Sequence, residues 1–186
     1  MEDNEFERLE RKLVYKGKII DFYEDTVKIP NGNIAKWDFI GHKGAAAVLP
    51  VLKDGRILMV KQYRNALDRY TLEIPAGGRD SLDEDYAVCA ARELKEETGF
   101  KCDVNDLTFL IRIRTTVAFC NERIDVFIAR NLDHAGSQHL DEDEFINVIP
   151  CTREELTEKI YSGQIEDGKT ISSLMAYFNG LDTGRF

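Results

Sequence analysis

No apolar run in this 186-residue chain approaches the roughly 20 residues that a membrane-spanning helix needs. The longest, Ala45 to Leu52, is strand-sized and interrupted by Pro50. Positive charge is scarce: 25 Lys and Arg stand against 34 Asp and Glu, a net charge of −9. A general nucleic-acid binder needs the opposite balance, so neither a nucleic acid nor a membrane is expected as partner. The four cysteines (Cys89, Cys102, Cys120, Cys151) form no CxxC pair, and His42, His134 and His139 show no ligand spacing. Structural zinc and dithiol redox chemistry are thereby excluded, leaving buried thiols in a reducing compartment. The acidic, polar opening MEDNEFERLE lacks the basic and apolar parts of a signal peptide, which predicts a cytoplasmic protein.

What is present suits one globular domain with an extension, since 43% of residues are hydrophobic and can fill a core. Residues 1–10 read as a charged, frayed start. From Lys12 to His42 short apolar stretches alternate with turn signals at Lys16-Gly17 and Asn31-Gly32-Asn33, which predicts β-strands. Lys53-Asp54-Gly55 between Ala45–Leu52 and Arg56–Tyr63 has the composition of a hairpin turn. Tyr70–Ile74, Leu107–Arg114, Ile124–Ala129 and Phe145–Ile149 read as further strands. Three helices are predicted. The first runs from about Asp83 to Thr98, capped by Ser81 or Asp83 and ended by Gly99. The second, Thr152–Tyr161, opens on a capping box of Thr152 and Glu155. The third is Ile165–Asn179, with Gly180 after it. Strands and helices in this order imply a mixed α/β domain, with helices on both sides of a sheet.

The first predicted helix carries most of the chemistry. At about 100° per residue, Glu93, Glu96 and Glu97 share an arc of roughly 100°, beside an apolar stripe of Ala87, Ala90, Ala91, Leu94 and Thr98. Carboxylates at i, i+3 and i+4 repel one another. Something must offset that repulsion: either solvent, with Arg92 and Lys95 tempering the face, or a hard divalent cation that takes oxygen ligands. Magnesium uses one or two carboxylates and completes its shell with waters and substrate phosphates. Glycines just before the helix permit close backbone approach.

Gly78, Glu84, Arg92, Glu93, Leu94, Glu96, Glu97, Gly99 and Phe100 resemble the Nudix hydrolase signature at every fixed position. Leu72-Glu73-Ile74-Pro75-Ala76-Gly77 and Gln62-Tyr63-Arg64 are similar to the lead-in and the strand end of its ADP-ribose pyrophosphatase-like branch. Phe119-Cys120-Asn121-Glu122, the acidic stretch Asp141 to Ile146, and Ser162 to Thr170 resemble later segments of that branch. The resemblance implies a Nudix-type α/β/α sandwich (α+β, mixed sheet) over residues 43–181, preceded by an N-terminal β extension, 1–42, that serves a homodimer. It implies hydrolysis of the pyrophosphate bond of a nucleotide sugar, with Mg2+, or Mn2+ in its place, as cofactor. By the same resemblance Glu93, Glu96, Glu97 and Glu144 are metal ligands, together with the backbone of Gly77. Glu142 is the candidate base, the choice between it and Glu144 staying open. Arg92 orients a box carboxylate through a bidentate contact, and Arg64, Glu73, Glu122 and Phe119 contact substrate. Glu84 either supports the helix or is solvated.

Two departures bear on substrate. The branch carries a proline where this chain has Val117, and another where it has Lys43. Proline fixes φ and removes a donor, so valine permits other loop shapes. ADP-ribose is the first expectation, UDP- and GDP-sugars the second. A non-catalytic nucleotide-sugar sensor would need degenerate box carboxylates, and none is degenerate. An RNA-end pyrophosphohydrolase fits poorly with the net charge. Gly163 to Thr170 matches GxxxxGK[ST], but a helix precedes it and two acids lie inside it, so a turn between helices is expected instead of a phosphate loop. Residues 141–146 lack the glycine of a calcium loop.

Overall fold

The computed structural model describes residues 5–138, 140 and 145–186. The chain divides into two compact units, 1–44 with 114–123, and 45–113 with 124–186.

In the first unit β1 (Glu7–Lys16), β2 (Asp21–Lys28) and β3 (Ile34–Gly41) form an antiparallel sheet in sequence order. The strand pairing begins at Glu7, inside the segment whose charge predicted fraying. Every residue of β1 is exposed, so its sequence carries no buried alternation to betray a strand. Arg11 fixes the sheet instead: its guanidinium grips Asp25 through two bonds of 2.7 and 2.6 Å and lies 3.5 Å from the centre of the Phe39 ring. The segment 114–123 joins this unit through a bridge between Ile40 and Cys120.

The second unit contains β4 (Ala45–Pro50), β5 (Ile57–Arg64), β6 (Arg69–Glu73), β7 (Ala76–Gly78), α1 (Tyr86–Thr98), β8 (Phe100–Lys101), β9 (Thr108–Arg114), β10 (Arg123–Ala129), β11 (Asp133–His134), β12 (Ile146–Cys151), α2 (Arg153–Tyr161) and α3 (Gly168–Asp182); the last residue of β9 and the first of β10 belong to the first unit. One sheet has the order β7-β4-β10-β9 and is mixed, β4 running parallel to β10 and antiparallel to β7. A second, β12-β5-β6, is antiparallel. β8 and β11 pair separately.

β4 is buried along its whole length, and its alternation sorts the layers. Ala46 and Val48 point to α1, in a cluster with Cys89, Ala90, Leu94 and Phe127. Ala45, Ala47 and Leu49 point the other way, to Leu156 of α2 and Leu174, Tyr177 and Phe178 of α3. Helices on both faces of a mixed sheet are the α/β/α sandwich expected.

Three local expectations change. The turn at Lys53-Asp54-Gly55 forms, with Gly55 at φ +87°, but only the Val51–Ile57 bridge follows it. β4 and β5 then part into different sheets, a tertiary choice that turn chemistry does not encode. The first helix is capped by Asp85, whose side chain accepts from the Ala87 N–H at 2.8 Å, not by Ser81 or Asp83. Arg79 donates to the carbonyls of Leu82 and Glu84 and holds 81–84 in a turn. The last helix starts at Gly168 and runs through Gly180, over which the Phe186 ring packs so closely that a Cβ would meet it at 2.2 Å. The capping box of α2 is present as expected.

Gly99 ends α1 at φ +72°, its N–H bonded to the Lys95 carbonyl. A Cβ there would lie 2.7 Å from the Gly136 carbonyl oxygen. Gly99→Ala should therefore lose on the order of 2 kcal/mol of stability, read as a lower urea midpoint with an unchanged m-value.

Candidate active site

β7 consists of Ala76, Gly77 and Gly78, paired with Ala47, Ala46 and Ala45 of β4. α1 packs on both strands and lowers its carboxylates onto this bare backbone. Glu93 and Glu97 are 8% and 2% exposed, whereas the Glu96 side chain keeps 37% of its surface. Glu97 accepts from the Ala76 N–H at 3.0 Å. The Glu93 carboxylate lies directly against Gly77, where a Cβ would come within 2.2 Å of its Cδ. Only glycine leaves room for that approach.

Arg92 offsets the repulsion among these acids. Its Nη1 donates to Glu93 Oε1 at 2.6 Å and to Glu96 Oε2 at 2.9 Å, and its Nε to Glu84 Oε1 at 3.2 Å. Nη2 reaches the Gly78 carbonyl at 2.9 Å. The guanidinium thus spreads single bonds over three carboxylates, where a bidentate grip on one was expected. Burial works against its charge, yet the Glu84 bond and the Glu93 charge hold it above its ordinary pKa. Glu84 is a support, not a solvated acid: the Asp80 N–H donates to its other oxygen at 2.7 Å. Burial would raise its pKa, and the Asp80 and Arg92 bonds outweigh this and lower it. Cys89, expected only as a buried thiol, lies 3.7 and 3.6 Å from the Gly77 and Gly78 carbonyls. Burial pushes its pKa up to about 12, so it stays a thiol and can donate to that turn.

A second cluster forms around Glu73, at the end of β6 and 3% exposed. Arg64 of β5 donates to it through Nε at 2.7 Å and Nη2 at 2.6 Å, Thr71 Oγ1 donates at 2.6 Å, and the Lys169 ammonium donates from α3. Burial alone would raise the Glu73 carboxyl; the Arg64 bonds and the Lys169 charge overturn that and hold it at about 2. The expected substrate contacts Arg64 and Glu73 are therefore brought together, with Glu73 turned inward and the Arg64 side chain 37% exposed. The sequence reading missed Lys169 and Thr71 here. The signal lay in the segment weighed as a phosphate loop: Asp167 caps α3, and Lys169 is committed to Glu73.

Phe119 and Glu122 belong to the first unit. Phe119 lines an open pocket of about 570 Å³ with Phe22, Trp37 and Ile40. Glu122 accepts from Thr115 Oγ1 at 2.6 Å and lies 3.5 Å from His42 Nδ1. Val117 is 80% exposed. Glu142 and Glu144 lie outside the described residues.

Among the described residues no three acidic, histidine or cysteine side chains converge as a ready-made metal centre. The donor set nevertheless suits a hard divalent cation. Two buried carboxylates one helical turn apart face a glycine backbone that leaves them room, and magnesium needs only one or two such ligands beside water and phosphate.

Two outcomes follow. Gly77→Ala should displace the Glu93 carboxylate and lower turnover by about 100-fold, with circular dichroism and melting temperature near those of the parent. Glu73 has a lowered folded-state pKa, so its contribution to stability is complete above its ordinary value of 4.5 and is lost as pH falls toward about 2. Urea titrations should show the parent losing stability over that window more steeply than Glu73→Gln.

A NUDIX domain pattern matches residues 41–174. A protein of Bacillus subtilis (strain 168) named "ADP-ribose pyrophosphatase" is 37% identical over 171 residues, 91% of each chain. A Bacillus methanolicus protein named "Methanol dehydrogenase activator" is 35% identical over 88% of this chain and 87% of its own. The fold is shared with a crystal structure of an ADP compounds hydrolase at 19% identity and a TM-score of 0.83, covering 97% of this chain and 96% of that one. A pattern that spans most of the chain, with Glu93 and Glu97 of its signature folded onto the Ala76-Gly77 backbone, shows that this chain belongs to the NUDIX family of hydrolases.

Proposed function

We propose that this Nudix hydrolase cleaves the pyrophosphate bond of a nucleoside diphosphate sugar, and that its substrate is ADP-ribose. The observation that carries the chemistry is the buried pair Glu93 and Glu97, the first packed against Gly77 and bonded by Arg92, the second accepting from the Ala76 N–H. The substrate choice is supported by the B. subtilis relative's name at 37% identity. Glu93 and Glu97 would hold Mg2+, with Glu96, Glu144 and the Gly77 carbonyl as further ligands; when bound, the cation neutralises diphosphate charge and acidifies a water. Arg92 holds Glu84, Glu93 and Glu96 in place through single hydrogen bonds. Arg64 offers its remaining guanidinium edge to a phosphate oxygen. Glu142 or Glu144 takes the proton of the attacking water. One P–O bond forms from water, the bridging P–O bond breaks, and AMP and ribose 5-phosphate leave.

The homodimer belongs to this reading as well. Leu9, Leu13, Val14 and Tyr15 expose apolar surface along β1, at the edge of its sheet, where a second copy would cover both the side chains and the unpaired backbone.

A specific observation keeps UDP- and GDP-sugars as the second reading: Val117 stands where a proline is usual. Parallel assays with ADP-ribose, ADP-glucose, UDP-glucose and GDP-mannose in Mg2+ decide between them. ADP-ribose should have the highest kcat/KM, and its hydrolysis should stop in excess EDTA and fall by orders of magnitude in Glu97→Gln. A kcat/KM for a UDP- or GDP-sugar about tenfold higher, a gap of about 1.4 kcal/mol, would reverse the assignment.

A further inference from the structure

The cluster around Glu73 is built more elaborately than a single ion pair requires. Four donor atoms converge on one buried carboxylate: Arg64 Nε and Nη2, Thr71 Oγ1 and Lys169 Nζ. Lys169 comes from the first turn of α3, 96 residues from Glu73 in sequence. Its ammonium also donates to Asp167 Oδ2 at 2.9 Å. The same Asp167 oxygen accepts from Thr170 N at 3.0 Å and from Thr170 Oγ1 at 2.6 Å, and Thr170 Oγ1 accepts from the Ile74 N–H at 3.0 Å. The start of α3 is therefore stitched to two successive residues of the chain, Glu73 and Ile74.

Arg64 depends on this arrangement. Its Nε and Nη2 are spent on Glu73, while Nη1 makes no bond among the described residues. A guanidinium is planar, so once one edge is fixed the direction of the remaining N–H groups is fixed too. The anchor works only if Glu73 is itself ionised and immobile, and Thr71 and Lys169 hold it by each sharing one of the two oxygens that Arg64 uses, Thr71 on Oε1 and Lys169 on Oε2. The charges of Arg64, Lys169, Glu73 and Asp167 sum to zero. Removing Lys169 leaves a net −1 beside the cation that is to meet an anion.

We infer that Lys169 is a positioning residue: acting through Glu73, it aims the free edge of Arg64 at a phosphate oxygen of the substrate. The inference rests on the reading of Arg64 as a diphosphate contact. It assigns to α3 a part in substrate binding although the Lys169 ammonium is itself committed to Glu73 and Asp167.

Steady-state kinetics with ADP-ribose and Mg2+ test it, on the parent, Lys169→Met, Lys169→Arg, Arg64→Ala and the double variant Arg64→Ala/Lys169→Met. Melting temperatures are taken in parallel. Lys169→Met should raise KM about tenfold with kcat within about twofold, since it misdirects a binding group and leaves the carboxylate helix intact. Lys169→Arg should recover most of that loss. In the Arg64→Ala background Lys169→Met should add nothing, because the group it aims is gone. The inference is overturned if Lys169→Met leaves KM unchanged, if its penalty persists undiminished without Arg64, or if it lowers kcat and melting temperature with no selective rise in KM. An unchanged KM in Arg64→Ala would retire the underlying reading of Arg64 instead. Should Lys169→Met fail to fold, Glu73→Gln replaces it: the same rise in KM and the same loss of effect without Arg64 are expected, and additive penalties would sink the idea.

Discussion

The site depends on one cation. Three glutamates within one turn of α1 would destabilise that helix and repel each other from the backbone beneath it. Arg92 lies on the same helix and divides its guanidinium among Glu84, Glu93, Glu96 and the Gly78 carbonyl. It therefore does two things at once. It makes a concentration of negative charge tolerable before any cation arrives, and it ties helix to turn so that the carboxylates meet β7 at a fixed height. Glycine at 77 is the other half of the same constraint, since any side chain there would occupy the space of the Glu93 carboxylate.

The fold beneath follows from β4. Its three alanines allow a helical layer to approach the sheet on each face, and its alternation sends Ala46 and Val48 to α1 and Ala47 and Leu49 to α2 and α3. The carboxylate helix thus rests on one of the most deeply buried strands, while the Glu73 cluster hangs from the other sheet and from α3. Both clusters obey one rule: a buried charge is kept only where it is paired and hydrogen-bonded.

What could be read from sequence was local or strongly spaced. The signature positions fall where their period puts them, Gly99 ends its helix in the left-handed conformation, and Thr152 and Glu155 cap theirs. What could not be read depended on partners far along the chain. Asp85 caps α1 in place of Ser81 or Asp83 because Arg79 captures the carbonyls of 82 and 84. The turn at Gly55 gave no hint that its strands would enter separate sheets. The first half of β1, up to Arg11, is hidden behind charge because none of its residues is buried. Lys169 lies in a segment that resembles the family as a whole without assigning that lysine a role, and its partner is 96 residues away.

The short step between the two clusters has a consequence for ligand size. Glu73 closes one sheet and Gly77 lies in the other, with Ile74, Pro75 and Ala76 between them. Each of those three is tied: Ile74 N–H to Thr170, the Pro75 carbonyl to Val48 N–H at 2.9 Å, and Ala76 N–H to Glu97. Four residues can span at most about 14 Å, and bonds at every position deny this stretch any slack. The step acts as a rigid ruler laid between a guanidinium and a pair of carboxylates, and a polyanion that met Arg64 at one end and a cation held by Glu93 and Glu97 at the other would have to match its length.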